Sequence, residues 1–209
     1  MLGHLYERAL DGERCWVRHE DGVVRTLPVC RWLGGPYADS LFDRTVIDMC
    51  RGPTIDLGCG PGRFVSALIQ RGIPALGVDQ SATAVGMARR NGAPVLHQDV
   101  FDPLPGTGRW RTVLLADGNV GLGGDPLRML TRAAEMLHRG GSCVAEFEPA
   151  TRGLRRRWIR LESPQTIGPW FRWASVGIDC AADLAEEAGL TLTRIHPIGE
   201  RVVARLRTA

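Results

Sequence analysis

Ile55-Asp56-Leu57-Gly58-Cys59-Gly60-Pro61-Gly62-Arg63 decides the fold. An apolar run leaves the stretch Thr54 to Leu57, turns through three glycines and enters a segment with helical patterning. Glycine admits positive φ and lets a ligand touch bare main chain. The helix start behind it offers N–H groups with no partner inside the helix. The spacing is G-x-G-x-G; where the G-x-G-x-x-G dinucleotide fingerprint places its third glycine, this chain has Arg63.

Outward from this loop, short apolar runs alternate with helical patterns. A helix is expected from about Pro61 to Gln70, with Pro61 suited to a first helical position and Gly72 followed by Pro74 as a stop. Strands are expected at Ala75–Asp79, Val95–His97 and Thr112–Ala116. Ser81 can cap a helix ending at Asn91-Gly92, and Asp125-Pro126 can open another whose Leu127, Leu130, Ala134 and Leu137 form one stripe. Gly140-Gly141 is expected to end that helix before a strand from Ser142 to Phe147. A helix from about Asp179 to Ala188 and two strands near 190–195 and 201–206 close the chain. The alternation predicts an α/β, Rossmann-like doubly wound fold: a mostly parallel seven-stranded sheet, helices on both faces, a terminal antiparallel pair. Two segments fall outside the rhythm. Residues 15–27 read as a hairpin about Asp21-Gly22, and residues 155–173 as a second, with Ser163-Pro164-Gln165 at its tip.

Asp79 ends the strand after the glycine loop, roughly 20 residues on, where an acid can accept hydrogen bonds from ribose hydroxyls. Asp99 follows the next strand and suits the exocyclic amine of an adenine. On Asp56-Leu-Gly-Cys-Gly-Pro-Gly62, Gly77-Val-Asp79-Gln-Ser81 and Gln98-Asp99-Val100, the sequence resembles class I S-adenosylmethionine-dependent methyltransferases. The resemblance covers roughly residues 38–148 and implies S-adenosylmethionine as cofactor. It implies that Gly58, Gly60 and Gly62 wall the methionine part, that Asp79 binds ribose and Asp99 adenine, and that Asp56 orders the loop. Cys59, Gln80, Val100 and Asp117 complete the expected cofactor-binding set. An NAD enzyme is the competing reading of the loop.

Asp117 and Asn119, in the loop after the fourth strand, are the leading polar candidates beside the transferred methyl group. The loop departs from the Asn/Asp-Pro-Pro-aromatic motif of enzymes that methylate amide or nucleobase nitrogens. An oxygen nucleophile needs a base; Asp117, Glu148, Glu146, His97 and His19 are candidates, and Glu148, before Pro149, lies at the functional edge. Residues 149–173 interrupt the step from the fifth strand to the next helix and carry Arg152, Arg155, Arg156, Arg157 and Arg160 among Trp158, Trp170 and Trp173. Arg157, Trp170 and Trp173, with Asn119, are the acceptor-site candidates; a solvated arginine face with packed tryptophans is the plainer alternative.

The chain has 209 residues, 26 basic against 23 acidic, and a net charge of +3. That balance does not favour nucleic acid or membrane as a partner. Every basic residue is arginine, which excludes lysine Schiff-base chemistry. The six cysteines are scattered without a C-x-x-C pair, against a zinc site or a disulfide framework. The charged N-terminus does not read as a signal peptide, and no window approaches the roughly 20 apolar residues of a membrane span, so a cytoplasmic location is expected. One domain is expected over 1–209: a cover segment at 1–37, a cofactor core at 38–148, an insertion at 149–173 and a C-terminal helix with strands at 174–209. The expected activity is methyl transfer to a small molecule, O-methylation ahead of N-methylation, by in-line displacement. An RNA or protein methyltransferase and a non-catalytic cofactor-fold module are the rivals. The acceptor and the oligomeric state stay open.

Overall fold

The structure, a computed structural model, describes residues 3–34 and 40–209; the expected boundary between cover segment and core, at 37–38, lies outside them. In chain order come α1 (Gly3–Leu10), β1 (Trp16–His19), β2 (Val24–Thr26), α2 (Val29–Leu33), α3 (Ser40–Met49), β3 (Thr54–Leu57), α4 (Arg63–Gln70), β4 (Ala75–Asp79), α5 (Ala82–Arg90), β5 (Val95–His97) and β6 (Trp110–Leu115). A 3-10 turn (Asn119–Gly124) leads to α6 (Pro126–Met136), β7 (Leu137–Phe147), β8 (Leu154–Glu162) and β9 (Phe171–Val176). A second 3-10 turn (Ile178–Cys180), α7 (Ala181–Glu187), β10 (Leu190–Ile198) and β11 (Arg201–Thr208) complete it.

Seven strands form one sheet in the order β10-β11-β7-β6-β3-β4-β5. The β3–β4, β4–β5, β3–β6 and β6–β7 pairs are parallel, and β11 runs antiparallel to both β7 and β10. From β3 the chain winds outward through β4 and β5, then crosses back to β6. The carboxyl ends of β3 and β6 therefore diverge at a switch point, where open α/β sheets bind ligands.

Alternation along the central strands divides the core in two. Val113, Leu115, Cys143 and Ala145 face Met129, Leu130 and Ala133 of α6 and Ala181 of α7. Leu114 and Val144 face Phe42 and Val46 of α3, Phe64 and Leu68 of α4, and Val85 of α5. All of these are buried, each contributing roughly 1.5–3 kcal/mol for a large aliphatic or aromatic side chain removed from water.

Two caps form as the sequence predicts: Ser81 Oγ accepts from Ala84 N at 3.2 Å and Asp125 Oδ1 from Arg128 N at 3.1 Å. Several boundaries shift by a few residues, two of them at glycines. Gly62, at φ 81°, is the left-handed cap of α4, so the helix starts at Arg63 and Pro61 belongs to the turn. Helix α6 ends at Met136, and Gly140-Gly141 lie within the eleven-residue β7. Leu137 already has extended backbone, so the helix stops ahead of the glycine pair.

The larger departure is in the two hairpins. They join into a second, antiparallel sheet of order β2-β1-β8-β9, in which Val17 pairs Leu161 and Arg157 pairs Trp173. One face carries Val17, Leu161 and Phe171 and packs on Leu5 and Ala9 of α1. Strands of the N-terminal segment and of the 149–173 insertion thus belong to one sheet, called the covering sheet below.

Candidate active site

The glycine loop is held from below. Gly58 and Cys59 both donate main-chain N–H to the Val78 carbonyl, at 2.8 and 3.0 Å. Asn119 donates from Nδ2 to the carbonyls of Leu57 at 3.0 Å and Gly58 at 2.8 Å. Gly58 has φ +82°, and a Cβ there would meet Asn119 Nδ2 at 2.6 Å. Only glycine fits both the backbone and the space. Asn119 is therefore the loop's clamp, which is the position found for this acceptor-site candidate.

Asp79, at the end of β4, closes the cradle. Its Oδ2 accepts Gly60 N–H and its Oδ1 accepts Ser81 N–H, both at 2.8 Å. Burial raises its pKa, and the bonds from Ser81 and Gly60 oppose that rise. Gln80 is exposed, and its carbonyl meets His97 Nε2 at 3.1 Å, which occupies that imidazole structurally. Asp99 is exposed, with Oδ1 accepting Phe101 N–H at 2.9 Å, and Val100 is buried beside it. Asp79 and Asp99 thus stand at the ends of β4 and β5, with the glycine loop one strand away. Asp56 is buried in β3, its carboxyl pushed up to about 8, first by desolvation and opposed by Arg63. Burial also raises the Cys59 thiol.

The roof comes from α1, a helix that the sequence reading of the N-terminal segment did not specify. A Cβ on Gly60 would lie 3.2 Å from the Tyr6 hydroxyl, and Ser81 Oγ donates to Glu7 Oε1 at 3.2 Å. Tyr6 packs edge-on to Trp32, centroids 5.6 Å apart. Desolvation, with Asp79 second, holds the phenol far above its usual range, so it stays a neutral donor.

Asp117 follows β6 at φ 55°, a left-handed conformation rare for a side-chain-bearing residue. Its Oδ2 accepts from Arg63 Nη1 at 2.5 Å, and its Oδ1 from Arg63 Nη2 at 3.1 Å and Arg201 Nη2 at 2.8 Å. Arg63 also reaches Asp43 at 3.2 Å, and Arg201 holds Glu146 through two bonds of 2.7 Å. Glu146 Oε2 accepts the Asp117 N–H at 2.5 Å. Despite burial, the two guanidiniums hold the Asp117 carboxyl below its ordinary value. Asp117, with both oxygens occupied and its proton affinity lowered, is poorly suited to take a proton, and both oxygens of Glu146 are already engaged by Arg201 and the Asp117 N–H. Arg63 and Arg201 are framework residues missed from sequence. Arg63 had a local signal, its place directly after the loop; Arg201 opens a strand some 140 residues away and had none.

On the covering sheet, the aromatic ring of Trp173 lies beside the loop: a Cβ on Gly118 would meet its Cζ2 at 3.5 Å. Pleating puts Arg157, cross-strand from Trp173, on the same inner face. Arg157 donates from Nη1 to Asp21 Oδ2 at 2.8 Å. Trp170 differs. Arg160 sits over its ring at 4.6 Å, and the β8 alternation turns Arg160 to the outer face. The structure brings Trp173 and Arg157 to the site's side of the sheet and does not bring Trp170 there. Glu148, just past β7, accepts from Thr151 Oγ1 at 2.5 Å and donates its N–H to Val176. Among the described residues no group of three or more His, Cys, Asp or Glu is arranged to hold a metal ion.

A strand–glycine loop–helix unit with acids at the next two strand ends, at the switch point of a parallel sheet, defines a nucleotide-cofactor site of Rossmann-like type. Residues 55–145 match the family described as a methyltransferase domain. That segment is similar to a methyltransferase domain, and its fold is shared with proteins whose methyl donor is S-adenosylmethionine. The bare loop under Tyr6 fits that cofactor, since a side chain at Gly58 or Gly60 would fill the cradle.

Three solved structures show how widely the fold is shared. A methyltransferase from Bacteroides fragilis, in complex with S-adenosyl-L-homocysteine, superposes with TM-score 0.80 at 19% identity, covering 98% of this chain and 91% of that one. The 1,6-didemethyltoxoflavin-N1-methyltransferase of Burkholderia thailandensis gives 0.61 at 16%, covering 82% and 80%. Magnesium protoporphyrin IX methyltransferase from Synechocystis gives 0.62 at 17%, covering 86% and 92%. No curated protein matches the sequence.

Proposed function

We propose that this chain is a class I S-adenosylmethionine-dependent methyltransferase and that it methylates a hydroxyl oxygen of a small molecule in the space between the cofactor loop and the covering sheet. The observation that carries the reading is the roof. Helix α1 and the inner face of the β2-β1-β8-β9 sheet lie over the glycine loop and Gly118, so an acceptor must fit beneath them. Two of the structural neighbours named above are, by their names, a 1,6-didemethyltoxoflavin N1-methyltransferase and a magnesium protoporphyrin IX methyltransferase, which supports a small-molecule acceptor.

In this reading the chain is one domain, with 1–37 and 149–173 as cover and 38–148 as cofactor core. Main chain at Gly58–Gly62 faces the methionine part, Asp79 accepts from the ribose and Asp99 from the adenine amine. Cys59, Gln80 and Val100 line the edges. Asp56, Asp117 and Asn119 fix the loop. The cofactor supplies a methyl carbon activated by its sulfonium; the protein aligns the acceptor and excludes water. Glu148 and His19, on the acceptor side, are the groups able to take the hydroxyl proton. The unpaired state of all six cysteines fits a cytoplasmic location, and among the described residues no helix is long and apolar enough to cross a membrane.

Incubating a cell extract with the enzyme and methyl-labelled cofactor, followed by mass spectrometry, tests the reading. A labelled low-mass product, 14 mass units heavier for an unlabelled methyl, is expected; label confined to RNA or protein defeats it. The outer arginine–tryptophan face favours RNA most among the rivals. There, however, Arg172 and Arg160 already cover the Trp158 and Trp170 rings, at 4.5 and 4.6 Å, and leave fewer bare platforms for bases.

A further inference from the structure

His19 ends β1 on the inner face of the covering sheet, opposite Ile159 and diagonal to Arg157. Its Nδ1 is buried and has no hydrogen-bond partner among the described residues. A buried ring nitrogen without a partner is uncommon and calls for one. On the same face stand Trp173, Phe171 and Ile159, with Arg157, Arg155 and Arg25 as the charged groups. The carboxylates near this face are Asp21, paired with Arg157 on an exposed turn, and Glu148, which accepts from Thr151. Three guanidiniums thus meet two carboxylates. The imidazole registers that balance: its pKa is lowered, first by burial and then by Arg157 and Arg25, with Asp21 and Glu148 opposing. A neutral imidazole at physiological pH accepts a hydrogen bond or a proton.

Resting on the small-molecule reading above, we infer that the acceptor is a planar hydroxylated anion, a phenolic carboxylate or its like. Its ring lies along Trp173, its negative group pairs with Arg157, and its hydroxyl meets His19 Nδ1. An aromatic wall orients a ring by its face, and the guanidinium fork matches a carboxylate in two hydrogen bonds. The hydroxyl proton would pass to His19 Nδ1 as the acceptor oxygen's lone pair forms the new C–O bond and the donor's methyl–sulfur bond breaks, its electron pair staying on sulfur to leave the neutral thioether S-adenosylhomocysteine; the imidazolium would then return the proton to solvent.

The test is calorimetric titration of the full chain, saturated with S-adenosylhomocysteine, with 4-hydroxybenzoate, benzoate, 4-hydroxybenzyl alcohol and tyramine. The acid is expected to bind at least about tenfold more tightly than the neutral alcohol or the cation, as a charge-assisted bond implies, and more tightly than benzoate, which lacks the hydroxyl. Arg157→Gln should bring the acid to the level of the alcohol, and Trp173→Leu should weaken all the ring compounds; retained S-adenosylhomocysteine affinity shows that each variant is folded. Equal binding of acid and alcohol, binding of none of the probes, or an Arg157→Gln effect common to all four overturns the inference. A neutral labelled product from the extract experiment would overturn it alone, whereas a labelled macromolecule would overturn the reading beneath it.

Discussion

Gly60 and Asp79, nineteen residues apart, are joined by a 2.8 Å bond from the main-chain N–H to Oδ2. Through Ser81 N–H on Oδ1, the same carboxylate also sets the start of α5. The acid proposed to accept from a ribose is therefore also the post that shapes the loop. Asp79→Ala leaves two donors without their acceptor, and about 1–3 kcal/mol of stability should be lost in urea unfolding. S-adenosylhomocysteine should bind at least about tenfold more weakly by calorimetry. Unchanged affinity with lowered stability would make Asp79 a structural post only.

Gly58 and Asn119 form a coupled pair. Gly58→Ala puts a Cβ 2.6 Å from Asn119 Nδ2 on a backbone at φ +82°, at a cost of about 1–3 kcal/mol for the strained backbone alone. Asn119→Ala removes the clash and also the bonds to the Leu57 and Gly58 carbonyls. In a double-mutant cycle the two losses should sum to less than their separate values, by about 0.5 kcal/mol or more. Strict additivity of the unfolding free energies would refute the clash.

These pairs mark the limit of what the sequence could convey. Strands at 54–57, 75–79 and 95–97 and the Ser81 and Asp125 caps follow from local patterning and were legible. So were the loop and its two acids, because glycine spacing and strand ends are local features. The covering sheet was visible only as two separate hairpins, since nothing in Trp16–His19 specifies pairing with Leu154–Glu162 over a hundred residues later. Tyr6 reaches Gly60 through the docking of a whole helix, and Arg201 reaches Asp117 across the fold. Such placement depends on tertiary packing. Even the end of α6 misled, because the glycine pair at 140–141 looks like a helix stop and serves inside a strand.

Asp56 predicts a pH dependence. Its carboxyl ionises near 8 in the folded chain against an ordinary 3.8. Between those values the folded state holds a proton that the unfolded chain releases, so this residue's contribution falls as pH rises from about 4 to about 8. Above and below that window it is flat. Chemical unfolding of wild type and Asp56→Asn across pH 4 to 9 should give curves that converge at the acid end. With rising pH the wild type should lose ground to the variant. Parallel curves would show that Asp56 is ionised when folded.

Glu162 ties the covering sheet together. Its Oε1 accepts from Arg18 at 2.8 Å and Arg160 at 2.7 Å, and its Oε2 from Trp16 Nε1 at 2.8 Å, so one buried carboxylate bridges β1 and β8. These donors, the Arg18 bond foremost, bring its pKa from 4.5 down to about 2. A lowered folded pKa contributes stability that is present above 4.5 and lost as pH falls toward 2. The covering sheet, sharing only part of its surface with the main sheet, should feel this first. Glu162→Gln is expected to speed amide exchange in residues 16–26 and 154–176 at neutral pH, while β3, β4, β6 and β7 keep their protection. In wild type the same selective opening should begin as acid titrates Glu162. Were the central strands to lose protection equally in the variant, the cover would be one cooperative unit with the core, unable to open above the site by itself.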